Sequence, residues 1–382
     1  MRKDLFKTAL AGMEGLHFAA HSHHLWPDCS LQAQTAYWQD SARLADRKWE
    51  KIFTEIIPAA QGHVARHLNL SSPDNIAFAP NTHELVNRIL SCLPERPLIL
   101  TTDSEFHSLS RQLARLEEEA LVRVRRVPTL PHDTFPERFA EAAKDAVYDL
   151  VIFSQVFFNS GYAVPALDAI AAAITAPESF IVIDSYHGFM ALPTDLSALE
   201  NRIFYLAGGY KYAMSGEGAC FLHCPPGYGL RPRNTGWFAD MGSLEKEQNA
   251  VAYASDGFRF WGATFDPSGL YRFNAVMEML ASEDLTVEKI HAHIIALEDY
   301  FLKNLKHRPG VLLTPVENDH RGHFLSFETS QAQKIHDELL SRGIVTDYRG
   351  DRLRFGFGLY HDERDIDRLL DNLLECDFVK AA

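Results

Sequence analysis

Six short apolar runs follow one another through the middle of the chain: "PLILTTD", "LVRVRRVP", "YDLVIFSQVFF", "SFIVIDSY", "RIFYLAGG" and "GACFLHC". Each has the length of a strand and is rich in β-branched or aromatic residues, and near-continuous apolar runs suit strands buried on both faces. Helical patterns separate them. Such alternation predicts an α/β sandwich built on a mostly parallel sheet.

Upstream, residues 30 to 68 repeat apolar residues at steps of three and four, the signature of amphipathic helices. After about residue 266 the rhythm changes. Helical patterns in "SGLYRFNAVMEMLASED" and "VEKIHAHIIALEDYFLKNL" give way to strands in "GVLLTPV" and "GHFLSFET", then to a last helix, strand and helix. At 382 residues the chain exceeds what one compact core usually holds. The reading is therefore a large domain over 46–265, a small α+β domain over 266–382, and an N-terminal segment, 1–45, packed with the small domain.

A net charge of −14 argues against a nucleic-acid partner, which calls for clustered Lys and Arg. The five cysteines are scattered, odd in number and without a CxxC pair, which fits a reducing cytoplasm rather than a disulfide framework or a zinc site. Cys220 reads as strand filler. No run of about 18 apolar residues appears and the N-terminus lacks the apolar core of a signal peptide, so a soluble protein with no membrane partner is expected.

Two stretches carry chemistry. In "IFYLAGGYKYAMSG" Lys211 directly follows an apolar strand and two glycines. At the mouth of a sheet, partial burial lowers an amine's pKa and makes it a nucleophile toward carbonyls. Most lysines after a strand are solvated surface residues, so this signal is weak alone. In "IVIDSYHGF" Asp184 ends a strand, at the end where open α/β sheets bind ligands. A buried carboxylate there needs a partner such as a protonated pyridine nitrogen, or it caps the following turn. His187 reaches the same pocket or packs on the loop.

Together, "DSYHGFMALPTDLSALENRIFYLAGGYKYAMSGEGACF" resembles the class V aminotransferase-like enzymes of fold-type I, which depend on pyridoxal 5'-phosphate (PLP). Its Tyr-Lys-Tyr is most similar to kynureninase. The resemblance implies a three-layer α/β/α large domain, a small-molecule amino acid as substrate, and a homodimer with the site at the subunit interface. It implies that Lys211 carries PLP covalently and then moves protons, while Asp184 holds the pyridine nitrogen protonated. His187 and Tyr210 would also contact the cofactor. "APNTHELVNRIL" would place Asn81, Thr82 and His83 at the phosphate, on the positive end of a helix. Without the resemblance this is an ordinary capped helix.

Phe106 in "TTDSEFHSLSRQL" would stack on the cofactor ring, with Ser160 and Gly161 of "SQVFFNSGYAVP" nearby. Trp237 in "TGWF" would lie at the phosphate or substrate, and Thr264 in "FRFWGATF" would reach a phosphate across the dimer interface. In "GIVTDYRGDRLRFGFGLYHDERDIDRLLDNL" Arg354 would pair with the substrate α-carboxylate, a task suited to a guanidinium fork. A slip of two would exchange it for Arg352.

The chain departs from kynureninases in two places. "FAAHSHHLWPD" replaces an Asn-Ser-Leu-Gly-like stretch, making Ser22 and His23 candidate substrate contacts or a packing loop, and Leu109 replaces an acidic residue shortly after the stacking Phe. His21-Ser22-His23 also supports a rival, a metal-dependent hydrolase. That rival needs further histidines and a late Asp at strand ends, whereas His291, His293 and His307 fall in helical patterns or loops. The main expectation carries no metal. Within it, kynureninase-like hydrolysis and amino-group transfer remain alternatives.

Overall fold

The computed structural model describes residues 2–243 and 250–376. The chain enters through a short strand, β1 (Leu16–His17). All six apolar runs form strands, and "NIAF" adds a seventh. The large sheet comprises β2 (Ile76–Ala79), β3 (Leu98–Thr102), β4 (Arg123–Val127), β5 (Leu150–Ser154), β6 (Phe180–Asp184), β7 (Ile203–Gly208) and β8 (Cys220–His223). Their order is β2-β8-β7-β6-β5-β3-β4, with β8 antiparallel to both its neighbours and the other pairings parallel.

Every residue of β5 and β7 is buried, as continuous apolar strands between two helical layers require. β4 is different. Only Val127 in it is buried, because it is the sheet's edge and Arg123, Arg125 and Arg126 face outward. Charges on an edge strand discourage pairing with another chain, so "LVRVRRVP" belongs to the sheet without being buried on both faces.

The later part of the chain builds a smaller antiparallel sheet from β9 (Val311–Leu312), β10 (Phe324–Glu328), β12 (Asp347–Arg349) and β13 (Arg352–Gly356), ordered β12-β13-β10-β9. β11 (Ile344–Val345) instead pairs in parallel with β1. The last helix, Glu363–Leu374, begins with a capping box between Asp362 and Asp365 and buries Ile366, Leu369, Leu370 and Leu373 at helical spacing. Residues 30 to 68 are helical as expected, and the helix Cys29–Leu44 lies along the helix Ser268–Ser282.

Two consequences of this folding position the site. The parallel strands β5, β6 and β7 end side by side at Ser154, Asp184 and Gly208, forming one mouth. Beyond β1 the chain also joins the C-terminal end of β13, past its pairing with β12: Gly356 N–H donates to Phe18 O at 2.7 Å, and Ala19 bridges Gly356. This brings His21 against Gly356. A Cβ at position 356 would lie 2.0 Å from His21 Nδ1 and 2.8 Å from its backbone nitrogen, so only glycine fits there.

Gly356→Ala is therefore expected to lower the unfolding free energy by about 1–3 kcal/mol, the usual penalty of overpacking. Gly62→Ala is the control: it lies in the helix Ile57–Leu68 with nothing within 4 Å of an added Cβ, and should be neutral or slightly stabilising. Denaturant unfolding of both variants checks the contrast.

Candidate active site

β6 and β7 pair in parallel with Asp184 opposite Leu206. β7 ends two residues later, at Gly208, and the chain turns through Gly209 and Tyr210 to deliver Lys211 beside Asp184's strand end. The turn is tight: a Cβ on Gly209 would lie 2.2 Å from Ser215 Oγ. Lys211 is 5% exposed, and its Nζ stands 2.6 Å from His187 Nε2. Burial drives His187 well below its ordinary pKa, so the neutral ring accepts from the amine. Three aromatic rings surround the amine, with centroids 4.7 Å (Tyr186), 5.6 Å (Phe106) and 5.8 Å (Tyr210) from Nζ.

Burial lowers the Lys211 pKa from 10.5 to about 7, against the opposing pull of Asp184. Burial raises that of Asp184, against the opposing effects of the Tyr186 N–H, which donates to Asp184 Oδ1 at 3.0 Å, and of Lys211. Both groups are thus pushed toward neutrality. Such a pair awaits a further charged partner.

The three rings around the amine also line a cavity of about 580 Å³, together with Asn81, Thr82 and His83. Residues 81–83 start the helix Thr82–Leu90, where Asn81 caps by accepting from Glu84 N–H at 3.0 Å. The positive end of a helix dipole thereby meets the cavity, a setting for an anion.

On the other side of Lys211 sits a buried charged cluster. Arg354 donates through Nη1 to Phe158 O at 2.8 Å and through Nη2 to Asp347 Oδ2, while its buried Nε finds no acceptor. Asp347 also faces His21 Nε2 at 3.4 Å and Arg349 Nη1 at 3.3 Å. The neighbouring His21, Arg354 and Arg349 hold its carboxyl well below the usual range despite burial. His21 is fully buried, stacked on Phe324 at 4.7 Å, and burial pushes it down to about 3. Arg352, half-buried, pairs instead with Glu328 at 2.8 Å.

A family model described as "Aminotransferase class-V" matches residues 24–369. The chain belongs to the class-V aminotransferase family. Among curated proteins, this class-V chain is 28% identical over 360 residues to a kynureninase of Deinococcus radiodurans, covering 91% of the chain and 81% of that protein. It is 26% identical over 280 residues to a kynureninase of Pseudomonas fluorescens, covering 69% of the chain and 63% of that protein. Among solved structures, the cystine C-S lyase C-DES with cysteine persulfide superposes with a TM-score of 0.83 at 20% identity, over 97% of this chain and 99% of that one. A C-DES variant with glycine covalently linked to its PLP cofactor gives 0.82 at 19%, over 98% and 100%. The apo cysteine desulfurase of Thermococcus onnurineus NA1 also gives 0.82, at 15% identity, over 100% and 99%. Likeness at this identity establishes the fold, an α/β fold-type I architecture.

The class-V chain thus gathers His187, Tyr186, Tyr210 and Phe106 around Lys211, with Asp184 as its electrostatic partner, while Asn81, Thr82 and His83 share one cavity with Phe106, Tyr186 and Tyr210. These residues fit PLP on two observations: Asp184 Oδ2 has no hydrogen-bond donor among the described residues, and a helix N-terminus lines the cavity bounded by the three rings around the amine. His23 lies at the rim, stacked on Tyr210 at 4.7 Å and 3.5 Å from Glu217, with Ser22 Oγ 3.5 Å from its Nδ1. Ser160 does not line the cavity. Its Oγ accepts from Tyr162 N–H and its carbonyl from Thr314, which stabilises the loop whose Phe158 holds Arg354. Gly161 supplies that loop's left-handed residue, at φ +72°. Trp237 and Thr264 lie elsewhere in the protomer, joined by a 3.2 Å hydrogen bond from the indole to the hydroxyl.

Two neighbours of the lysine and the arginine escaped the sequence reading, Tyr186 and Asp347, and a third, His21, was read only as a metal ligand of the rival hydrolase. Asp347 had a signal. With Gly350-Asp351 as a two-residue hairpin turn, Gly350 at φ +57°, counting outward pairs Asp347 with Arg354, as β12 and β13 do. Among the described residues, no three His, Cys, Asp or Glu side chains converge so as to hold a metal ion.

A depressed amine pKa has a direct readout. Below about 7 Lys211 is an unreactive ammonium; above it the amine is free, with His187, Asp184, Asp347, Arg349 and Arg354 as the charged or titratable neighbours. Reductive methylation of Lys211, followed by mass spectrometry across pH, is expected to rise with a midpoint near 7. Asp184→Asn removes the group that favours the ammonium and should shift the midpoint lower. A wild-type midpoint near 10 would refute the assignment.

Proposed function

We propose that this class-V chain is a PLP-dependent enzyme acting on a small α-amino acid, and that its reaction is kynureninase-like: hydrolytic cleavage of the Cβ–Cγ bond of an aryl-ketone amino acid. The observation that carries the cofactor reading is the buried Lys211 amine, poised near neutrality beside Asp184 under an anion-accepting helix end. The kynureninase relatives, at 28% and 26% identity, support the choice of reaction.

When bound, PLP supplies an electron sink for negative charge at the substrate Cα. The protein does the rest. Lys211 would hold the cofactor, and its free amine would carry a proton to and from the substrate Cα, with His187 Nε2 2.6 Å from Nζ. Asp184 would keep the pyridine nitrogen protonated. Phe106 would pack against the cofactor ring, and residues 81–83 with Tyr210 would hold the phosphate. Arg354 takes the α-carboxylate in a fork already desolvated and aimed. In hydrolysis, water adds to the substrate's Cγ carbonyl, the acyl group leaves as a carboxylic acid, and the Cβ electrons are quenched by a proton to give alanine.

Amino-group transfer uses the same first half and is the alternative. Cysteine desulfuration requires a cysteine nucleophile on a mobile loop, whereas Cys220, Cys224 and Cys376 are buried. The same reading makes the protein a cytoplasmic homodimer, with Trp237 and Thr264 presented to the partner's cavity. Among the described residues no helix is long and apolar enough to cross a membrane.

The purified protein should show a visible absorption band that borohydride reduces, and Lys211→Ala should abolish that reduction. Incubation with kynurenine, 3-hydroxykynurenine and a panel of amino acids, with and without a keto acid, separates the reactions. Alanine plus an anthranilate is the expected product pair, while turnover only with a keto acid would install the transferase. Arg354→Ala should raise KM for the amino acid at least about tenfold, the loss of a charged hydrogen-bonded pair. An unchanged KM removes Arg354 from the site.

A further inference from the structure

Away from Lys211 and Arg354, a second buried guanidinium is short of acceptors. Arg88 lies on the helix Thr82–Leu90, one turn after Glu84, and is 7% exposed. Its Nη2 donates to Glu84 Oε2 at 2.9 Å, on a partly exposed carboxylate, while its buried Nε and Nη1 find no acceptor. The guanidinium lies against Gly262: a Cβ there would stand 2.2 Å from Nη2 and 3.1 Å from Cζ, so the missing side chain makes its room. The residue before that glycine, Trp261, is fully buried, with its ring stacked on Phe258 at 4.9 Å, and its Nε1 also lacks an acceptor. Arg88 and Trp261 both line one cavity of about 320 Å³, bounded also by Glu84, Asn234 and Thr264. That lining shares only Pro80 with the cavity beside Lys211. Buried N–H groups are seldom left unpaired, least of all on a cation. An anion bearing several oxygens is the acceptor this cavity would suit.

We propose that this cavity is an oxyanion site separate from the Lys211 site: Arg88, through Nε and Nη1, and Trp261, through Nε1, donate to a carboxylate or phosphate group. Thr264 adds to it. Its hydroxyl oxygen accepts from Trp237 Nε1 at 3.2 Å and keeps its own proton to give. Glu84 covers only Nη2, and a partly exposed carboxylate turns to water at little cost when a second anion arrives. Two sources carry the required oxygens: a free small anion, and an acidic group of a second copy of this chain. Neither source draws on the PLP reading, because none of the three donors touches the Lys211 cavity.

The test is calorimetric titration of the full chain, as purified, with inorganic phosphate and with malonate. Arg88→Met keeps much of the side chain's length and loses its donors; Trp261→Phe keeps an aromatic ring and loses the N–H. Wild type should bind one anion per protomer. Arg88→Met should weaken that binding about tenfold or more and Trp261→Phe about threefold, while Arg354→Ala stays within about twofold of wild type. Thermal unfolding run alongside confirms that each variant folds, and the anion should raise the Tm of wild type but not that of Arg88→Met. Binding that survives intact in Arg88→Met overturns the proposal, as does an equal loss in Arg354→Ala, which would put the ion beside Lys211. If neither ion binds wild type, sedimentation over a dilution series decides. A dimer dissociation constant raised about tenfold in Arg88→Met and about threefold in Trp261→Phe assigns the oxygens to the second protomer. Self-association indifferent to both substitutions overturns the proposal.

Discussion

The site depends on one pairing, the parallel alignment of β6 with β7. Parallel register puts the carboxyl ends of both strands at the same edge, and because each is apolar throughout, neither can shift without exposing its buried run. One strand ends in an acid. The other ends in glycines that turn sharply into a lysine. A carboxylate and an amine are thereby carried into a low-dielectric mouth by strands whose own stability comes from burial elsewhere in the sheet, so the core offsets the desolvation of the site. Neither group satisfies the other fully: Asp184 is raised and Lys211 lowered, the signature of charges held in readiness.

What the sequence disclosed follows from that architecture. The runs ending at Asp184 and Gly208 could be read because a strand buried on both faces has no polar alternation to obscure it, and the chemistry sits just beyond each run. The turn at residues 81–83 was readable for a similar reason, a cap directly before a periodic helix. The exception among the runs, Arg123–Val127, became an edge because its arginines cannot be buried. Sequence spacing alone does not tell which strand closes a sheet.

The unread residues are those whose roles depend on contacts between distant segments. His21 meets Asp347 only because the N-terminal segment joins the end of β13, more than 300 positions away in the chain. Tyr186 carries no motif of its own, yet its ring lies 4.7 Å from the Lys211 amine and its hydroxyl packs beside Gly208 and Cys220. Its place is the hollow left by Gly208, and a missing side chain leaves no mark at the residue that fills it. Ser160 illustrates the converse: a polar residue in a family-like loop whose hydrogen bonds are spent on the loop itself.

The Arg354 cluster carries the argument one step further. A guanidinium buried without a counterion would be strongly destabilising, and Asp347 supplies that counterion from the facing strand of the same hairpin. On the proposed reading, an incoming carboxylate would meet a cation that has already been desolvated, oriented by the Phe158 carbonyl and left with its Nε unpaired. Much of the ordering that binding would otherwise require has been completed during folding. Asp347 need not leave, because Nε offers a vacant donor beside the shared Nη2. If a carboxylate nevertheless draws the guanidinium away, Arg349 remains 3.3 Å from Asp347 to balance its charge, with the neutral His21 ring 3.4 Å away. His21 thus belongs to the surroundings of the Arg354–Asp347 pair, and Gly356 is the residue that makes room for it.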